Sequence, residues 1–325
     1  MTSIKGITPA LLSLLLISVP QPTPAMASPH GLYVVVTFTN LLPDIKLLAC
    51  EYDTVHSLVP PGVDPHDYEL RPSDVDELAR ADLIISTAHA PFERVIHDRV
   101  ASGETSSLLV EIPHIEGMRI LRNPVTGQPN YHMPIYDPEN YLTFMRYLKD
   151  VMSELNPSCS HHYEESYREI VERIRDLESR VPEFNATAIA VTPAAQYAVE
   201  WTGIKVKHLL QKERGVPATP PELIEMRKKA MSGGIDLMIL VGRGKTQLNL
   251  KAIELAEESG IPYITVPSPL EVRSIPDKLG DVVRALSKVN FTSGRGVEYG
   301  STPLITALLM IAVSLLGTIY LLVKK

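Results

Sequence analysis

Short apolar runs of strand length alternate with helical patterns along most of this chain. The runs lie at residues 32–38, 55–59, 82–86, 186–191, 237–241 and 263–266. Strands that alternate with helices at this spacing form parallel sheets. The pattern therefore predicts an α/β fold. One of the intervening helices opens at Pro72, and Ser73 is its predicted N-cap.

One long helical pattern divides these strands into two groups. It begins at Asp137-Pro138, keeps apolar residues at helical spacing as far as Leu155, and ends at Asn156-Pro157. We therefore predict two β/α lobes with parallel sheets, joined by one rigid backbone helix. The predicted ranges are 28–136 for the first lobe, 137–157 for the linking helix and 158–290 for the second lobe. Ligands of such sheets bind beyond the carboxyl ends of the strands, so the facing lobes should form a cleft.

Both ends of the chain are apolar. Residues 1–27 combine a basic start, an apolar run and Ala25-Met-Ala27, which are the parts of a secretory signal peptide; a short buried helix is the alternative. Residues 303–323 carry no charge and precede Lys324 and Lys325, which predicts a transmembrane helix over 302–323 after a spacer at 291–301. The body would then lie outside the cell, held in the cell membrane by a single pass.

Composition excludes several classes of protein. A hydrophobic share of 45% is too high for a disordered chain. The 38 acidic residues outnumber the 31 basic ones, which argues against a nucleic-acid partner. The two cysteines, Cys50 and Cys159, either form one disulfide in an oxidising compartment or remain two buried thiols, and the sequence leaves both open.

Two histidines lie in stiff loops that follow or precede these elements. His66 ends the run Val59-Pro-Pro-Gly-Val-Asp-Pro-His66, and His132 lies just before the long helix. A neutral imidazole held in place is the commonest protein ligand for transition metals. Taken alone, each could equally be a surface or helix-entry histidine. Neither belongs to a short local zinc motif.

Together these loops resemble a known family, the zinc/manganese-binding substrate-binding proteins of ABC importers (cluster A-I). The matching segments are residues 57–69 (Ser-Leu-Val-Pro-Pro-Gly-Val-Asp-Pro-His-Asp-Tyr-Glu), Pro72-Ser-Asp74, Ala81-Asp-Leu83, Glu93, His132 ahead of Asp137-Pro138, and Pro220-Pro-Glu-Leu223 before Ile235-Asp-Leu237. The resemblance covers about residues 32–289. It implies two lobes bridged by a helix, a divalent ion (zinc or manganese) held between them as cargo, a membrane permease as partner, a monomer, and no enzyme activity.

The resemblance also implies a set of ligands. Its first-lobe pair falls on His66 and His132. The third position falls on Thr192, and the fourth falls in residues 266–269, which contain no carboxylate. Where the family has a glutamate after the strand at 237–241, this chain has a Gly-Arg-Gly-Lys run at 242–245. The possible substitutes are His89, which we favour, and the acids Asp64, Glu200 and Glu271.

Two functions therefore remain in view. The first is capture of a divalent ion for an importer. The alternative is a surface receptor or binding module of the same fold, with a degenerate metal site and a small ligand such as an anion. The basic run Gly242-Arg-Gly-Lys-Thr246 would suit an anion if it faces the cleft at the start of the next helix. Enzyme activity is a third hypothesis, since histidines lie beside acids, but no nucleophile–base pair is evident.

Overall fold

The computed structural model of the chain describes residues 30–63 and 65–289. The predicted signal peptide, spacer and transmembrane helix lie outside these residues. Within the described part, no helix combines the length and the apolar character needed to cross a membrane.

The first sheet contains four parallel strands in the order β2-β1-β3-β4. These strands are β1 (Tyr33–Phe38), β2 (Thr54–Val59), β3 (Leu83–Ser86) and β4 (Leu108–Glu111). Its helices are α1 (Leu42–Leu48), α2 (Pro72–Arg80) and α3 (Pro91–Ala101). The central strands β1 and β3 are apolar and buried on both faces, as expected when helices cover both sides of a parallel sheet. We call this sheet with its helices the first lobe.

The start of α2 differs from its predicted form. The N-cap is Arg71, so the prediction that Ser73 caps this helix is wrong. Asp74, in the first turn, instead accepts the backbone N–H of Arg71 at 2.7 Å and the hydroxyl of Tyr68 at 2.7 Å through Oδ2. A first-turn carboxylate therefore satisfies the helix start and anchors the loop that carries His66.

The second sheet also contains four parallel strands, in the order β10-β9-β5-β6. The strands of this half, in chain order, are β5 (Ala186–Ala190), β6 (Ile204–Leu209), β7 (Gln211–Glu213), β8 (Val216–Pro217), β9 (Leu237–Val241) and β10 (Tyr263–Val266). Strands β7 and β8 form a separate antiparallel hairpin. The helices are α6 (Ala195–Val199), α7 (Pro220–Met231), α8 (Gln247–Ser259) and α9 (Ile275–Leu286). We call this half the second lobe. The predicted α/β fold with parallel sheets is confirmed.

Two long helices connect the lobes. They are α4 (Pro138–Leu155) and α5 (Ser160–Ser179). Asp137 caps α4, because its Oδ1 accepts the backbone N–H groups of Glu139 and Asn140 at 3.1 and 3.2 Å. The apolar face of α4 is fully buried and packs along α5.

A buried polar junction joins α1, α4 and α9. Asp44 of α1 accepts the hydroxyl of Tyr141 at 2.8 Å and the backbone N–H of Ile275 at 2.7 Å. Lys278 of α9 is fully buried near Asp44 and donates to the carbonyl oxygen of Pro269 at 2.8 Å. Burial raises the pKa of Asp44 to about 7 and lowers the pKa of Lys278 to about 8, while the attraction between the two groups opposes both changes. The junction holds the two lobes together on the side of the linking helices.

A disulfide ties the first lobe to the start of α5. Cys50 follows α1, Cys159 directly precedes α5, and their Cα atoms are 6.2 Å apart. The structure thus resolves the choice that the sequence leaves open in favour of the disulfide.

Removing this disulfide is expected to destabilise the protein. Because the bond closes a loop between residues 109 positions apart, the unfolded chain without it gains conformational entropy. We expect the Cys50→Ser, Cys159→Ser variant to lose about 2–4 kcal/mol of unfolding free energy in urea titrations. Wild-type protein treated with a reductant should show the same loss. Equal stability of the oxidised wild type and the variant would contradict the expectation.

Candidate functional site

A cavity of about 520 Å³ lies where the carboxyl ends of both parallel sheets meet. Segments that follow strands of both sheets line it, as expected for ligand sites of open α/β sheets. They include residues after β1, β2, β3, β5 and β10, together with the β7–β8 hairpin. All three sequence-predicted metal-binding histidines, His66, His89 and His132, lie in its wall.

His66 lies in a short 3-10 turn, Pro65–Asp67, after β2. Its ring meets the ring of His89 edge-to-face, with 5.3 Å between the centroids. The turn is bounded by the proline-rich loop on one side and by Tyr68 on the other, and the Tyr68 hydroxyl donates to Asp74. Tyr68 therefore fixes the chain directly after the turn that carries His66.

His89 lies in a tight loop between β3 and α3, organised by one buried carboxylate. Glu93 is almost fully buried, and its two oxygens accept six hydrogen bonds. The donors are the hydroxyls of Thr37, Ser86 and Thr87 and the backbone N–H groups of Thr87, His89 and Ala90. Ala88 adopts a left-handed backbone conformation with φ of 51°. Glu93, part of the family resemblance, thus serves here to hold the loop that carries His89.

His132 has a defined tautomer. Asn130 donates through Nδ2 to the carbonyl oxygen of Pro193 and to Oε1 of Gln196, both at 2.9 Å, which identifies its Oδ1 as an acceptor. That oxygen lies 2.9 Å from Nδ1 of His132, so Nδ1 carries the proton and Nε2 keeps its lone pair. A ring nitrogen fixed by a neighbouring acceptor in this way is the usual arrangement behind a metal-binding histidine.

The three imidazoles form one cluster. The centroids of His89 and His132 are 4.6 Å apart, and Nε2 of His89 is buried with no hydrogen-bond partner among the described residues. Burial, together with repulsion by neighbouring imidazoles, lowers the pKa of His89 and of His132 to about 4. Both rings are therefore neutral at physiological pH, which is the form that binds a metal ion.

The second lobe contributes one carboxylate that the sequence analysis missed. Glu213, at the end of β7, places Oε2 3.6 Å from Nε2 of His132. Its Oε1 accepts from Nδ2 of Asn123 at 3.0 Å, which holds the side chain in the cavity wall. Strand β7 has only three residues and no hydrophobic pattern. The one available signal is Gly215, which takes the positive φ of the hairpin turn.

The other sequence-predicted candidates do not join the cluster. Thr192, Ser268 and Pro269 line the cavity but offer no carboxylate or imidazole. Glu200 and Glu271 are not part of the cavity wall: Glu200 accepts from Gln196 and the backbone of Val206, and Glu271 pairs with Arg273. Asp64 lies outside the described residues.

The charged side chains of the basic loop after β9 do not line the cavity. Neither Arg243 nor Lys245 lines the cavity, and Arg243 points instead to Asp281 of α9 at 3.3 Å. The hydroxyl of Thr246 caps α8 by accepting the backbone N–H of Asn249. The expectation of an anion site facing the cleft at this loop is therefore wrong.

The clustered side chains are close together without converging on one point. In residues 30–63 and 65–289, no group of three or more His, Cys, Asp or Glu side chains is arranged to hold a metal ion as it stands. The rings instead pack edge-to-face, with interplanar angles of 89° and 65°. Ligation by the cluster would require side-chain rotations that aim the ring nitrogens at one point, and the centroid separations of 5.3 and 4.6 Å are close to the roughly 5 Å expected for two imidazoles on one zinc ion.

The buried histidines predict a stability that depends on pH. In the unfolded chain a histidine binds a proton as pH falls through about 6.5, whereas His89 and His132 resist protonation until about pH 4 in the folded protein. The folded state therefore binds fewer protons between these values, and stability should be lost as pH falls from 7 towards 4. We expect a loss of about 1–3 kcal/mol in urea titrations, after allowance for solvent screening.

The matched test replaces the two rings. The His89→Gln, His132→Gln variant should show a flatter pH dependence over this window. The control variant His161→Gln, His162→Gln changes two exposed histidines of α5 and should keep the wild-type slope. The same slope in all three proteins would refute the assignment.

Comparison with known proteins agrees with this architecture. The profile of the family described as ZnuA, zinc-uptake complex component A periplasmic, matches residues 34–278. The iron-binding protein YfeA of Yersinia pestis is 24% identical over 269 residues, covering 80% of this chain and 83% of that protein. The manganese ABC transporter substrate-binding lipoprotein PsaA of Streptococcus pneumoniae is 22% identical over 213 residues, covering 59% of this chain and 67% of that protein.

Solved structures share the fold at lower identity. The substrate-binding protein FpvC of Pseudomonas aeruginosa, solved with Mn²⁺, superposes with a TM-score of 0.63 at 17% identity, covering 79% of this chain and 98% of that one. Since the family profile spans most of the described residues, the chain belongs to the ZnuA family of zinc-uptake component A periplasmic proteins.

Proposed function

We propose that this protein is the substrate-binding component of a metal-ion ABC importer, and that it captures a divalent ion at His66, His89 and His132. One observation carries the proposal. Three imidazoles cluster in the wall of the cavity between the lobes, two of them held neutral by burial. The buried and unpartnered Nε2 of His89 is the kind of atom that a bound ion would satisfy.

Glu213 is the proposed fourth ligand. Three imidazole nitrogens and one carboxylate oxygen form a ligand set that zinc takes in tetrahedral geometry. Manganese favours a set richer in oxygen, and the positions that could supply more carboxylates hold Thr192 and the segment Pro267–Pro269 instead. We therefore propose zinc as the preferred ion.

The remaining features complete the proposed setting. We propose that residues 1–27 direct export and that residues 302–323 anchor a monomer in the cell membrane, with the two lobes and linking helix (28–290) outside the cell. The partner would be a permease in the same membrane. Membership of a family of zinc-uptake components supports a permease partner and a role without catalysis.

Metal titration of the full-length protein in detergent tests the proposal. We expect one zinc ion per chain by elemental analysis. In competition titrations with a chelating dye, zinc should bind more tightly than manganese. No binding of any divalent ion would refute metal capture and favour the alternative function, a binding module with a degenerate site. This alternative is supported by the absence of a carboxylate at Thr192 and in residues 266–269 of the second lobe.

Glu213 offers a sharper test of the proposed ligand set. We expect Glu213→Gln to raise the zinc dissociation constant about 10- to 100-fold, because the amide oxygen is neutral and a poorer ligand for the ion. The control Glu225→Gln removes an exposed carboxylate from α7, outside the cavity wall, and should leave the constant unchanged. Equal constants in both variants would remove Glu213 from the ligand set.

A further inference from the structure

The cavity is much larger than a metal ion requires. Its volume of about 520 Å³ exceeds the roughly 30 Å³ that one water molecule occupies in the liquid by more than an order of magnitude. It falls within the range of about 300–1,000 Å³ that is typical of pockets for small organic molecules. An ion bound at the three histidines would fill one corner and leave most of the space open.

The exposed lining of the cavity is mainly apolar, beside the charged group of Arg214, which donates to Asp67 at 2.6 Å. Four large hydrophobic side chains line it and remain exposed to solvent; they are Val63 (41%), Tyr131 (37%), Leu270 (52%) and Val272 (46%). We call these four residues the apolar rim. The first two belong to first-lobe loops beside His66 and His132, and the last two follow β10 in the second lobe. Exposed apolar side chains gathered at one pocket indicate a ligand with apolar surface of its own.

The segment after β10, residues 267–269, has no charged side chain and is held in place. The carbonyl oxygen of Pro269 accepts from Asn40 at 3.0 Å and from Lys278 at 2.8 Å. The carbonyl oxygen of Pro267 accepts from the hydroxyl of Tyr136 at 3.0 Å. With Glu213 as the fourth ligand, a zinc ion on the histidine cluster would gain donor atoms from a ligand in the open cavity by expanding its coordination beyond four or by exchanging Glu213 for them.

We propose that the cargo is a divalent ion already held by a small organic chelator with an apolar body. The histidine cluster takes the ion, the chelator supplies the remaining donor atoms, and the apolar rim covers its body. This inference rests on the proposed function, since it names the form in which the ion is captured at the same site.

Two zinc chelates distinguish capture of a chelated ion from capture of the bare ion. 2,2′-Bipyridine and ethylenediamine each bind zinc through two nitrogens in a five-membered ring, but only bipyridine has an apolar body. Equilibrium dialysis of the full-length protein against zinc alone, zinc–bipyridine and zinc–ethylenediamine measures retained zinc and retained chelator. We expect one bipyridine retained per zinc, with a dissociation constant at least about tenfold below that of the ethylenediamine chelate, because only bipyridine buries apolar area against the rim.

Matched variants locate the effect. Leu270→Gln, Val272→Gln should remove the preference between the two chelates. The control Ile224→Gln, Met231→Gln changes two even more exposed apolar residues of α7 outside the cavity and should keep the preference. Equal affinity of the wild type for both chelates would overturn the inference. So would retention of zinc, but not of the chelator, in the two chelate dialyses. Either result would leave metal capture standing. Failure to retain zinc in any of the three forms would overturn both proposals.

Discussion

Replacing His66 and His132 together by alanine is expected to raise the dissociation constant for zinc by about a thousandfold or more. The change removes two of the three clustered imidazoles, so that only two protein ligands remain and water must fill the other positions of the zinc shell. Competition titration against a chelating dye at pH 7 measures the loss directly.

The control for this experiment is a pair of histidines of the same chain outside the site. His161 and His162 lie in the first turn of α5, away from the cavity, and His161→Ala, His162→Ala should bind zinc like the wild type. An unchanged dissociation constant in the His66→Ala, His132→Ala variant would show that zinc binds elsewhere.

The largest expected effect on stability concerns the junction between α1 and α9. Asp44→Ala removes the acceptor for Tyr141 and Ile275 and leaves Lys278 buried without its acidic neighbour. Leaving these two buried donors without their acceptor costs about 3–5 kcal/mol in all, at about 1–3 kcal/mol for each unsatisfied donor. We expect a loss of this size in urea unfolding at pH 7.

A double-mutant cycle separates the electrostatic attraction between Asp44 and Lys278 from the hydrogen bonds. Lys278→Met added to Asp44→Ala should cost about 1–3 kcal/mol less than the sum of the two single changes. Tyr141→Phe, which removes only one hydrogen bond to Asp44, should cost about 1–2 kcal/mol. Strict additivity of Asp44→Ala and Lys278→Met would show that the two groups do not interact.

Strands and loops that are defined by neighbouring residues could be predicted from the sequence. Strands β9 and β10 match the predicted ranges, because each is a short apolar run between clear breaks. His66, His89 and His132 were recognisable from their loops after strands or before the linking helix, and the structure brings all three to one cavity. Parallel strands explain this success, because loops that leave the carboxyl ends of neighbouring strands meet at one edge.

Features that depend on distant contacts were not predictable. Glu213 reaches His132 only because a three-residue strand folds back in a hairpin, and nothing in Gln211–Glu213 marks it as a strand. The choice between a disulfide and two thiols depends on whether Cys50 and Cys159, more than a hundred residues apart, meet in the fold. The predicted cap at Ser73 failed for a local reason, since Asp74 competes for the same helix start and satisfies it from inside the first turn.

The disulfide between Cys50 and Cys159 has a topological consequence for the site. His66, His89 and His132 all lie between the two cysteines, so the three imidazoles belong to one covalently closed ring of the chain, whereas Glu213 lies outside it. A single cut by a protease inside this ring would leave both fragments joined, and the three histidines would stay on one covalent unit. A cut between residues 159 and 213 would instead separate the histidines from Glu213, so the position of a cut decides whether both halves of the site remain linked.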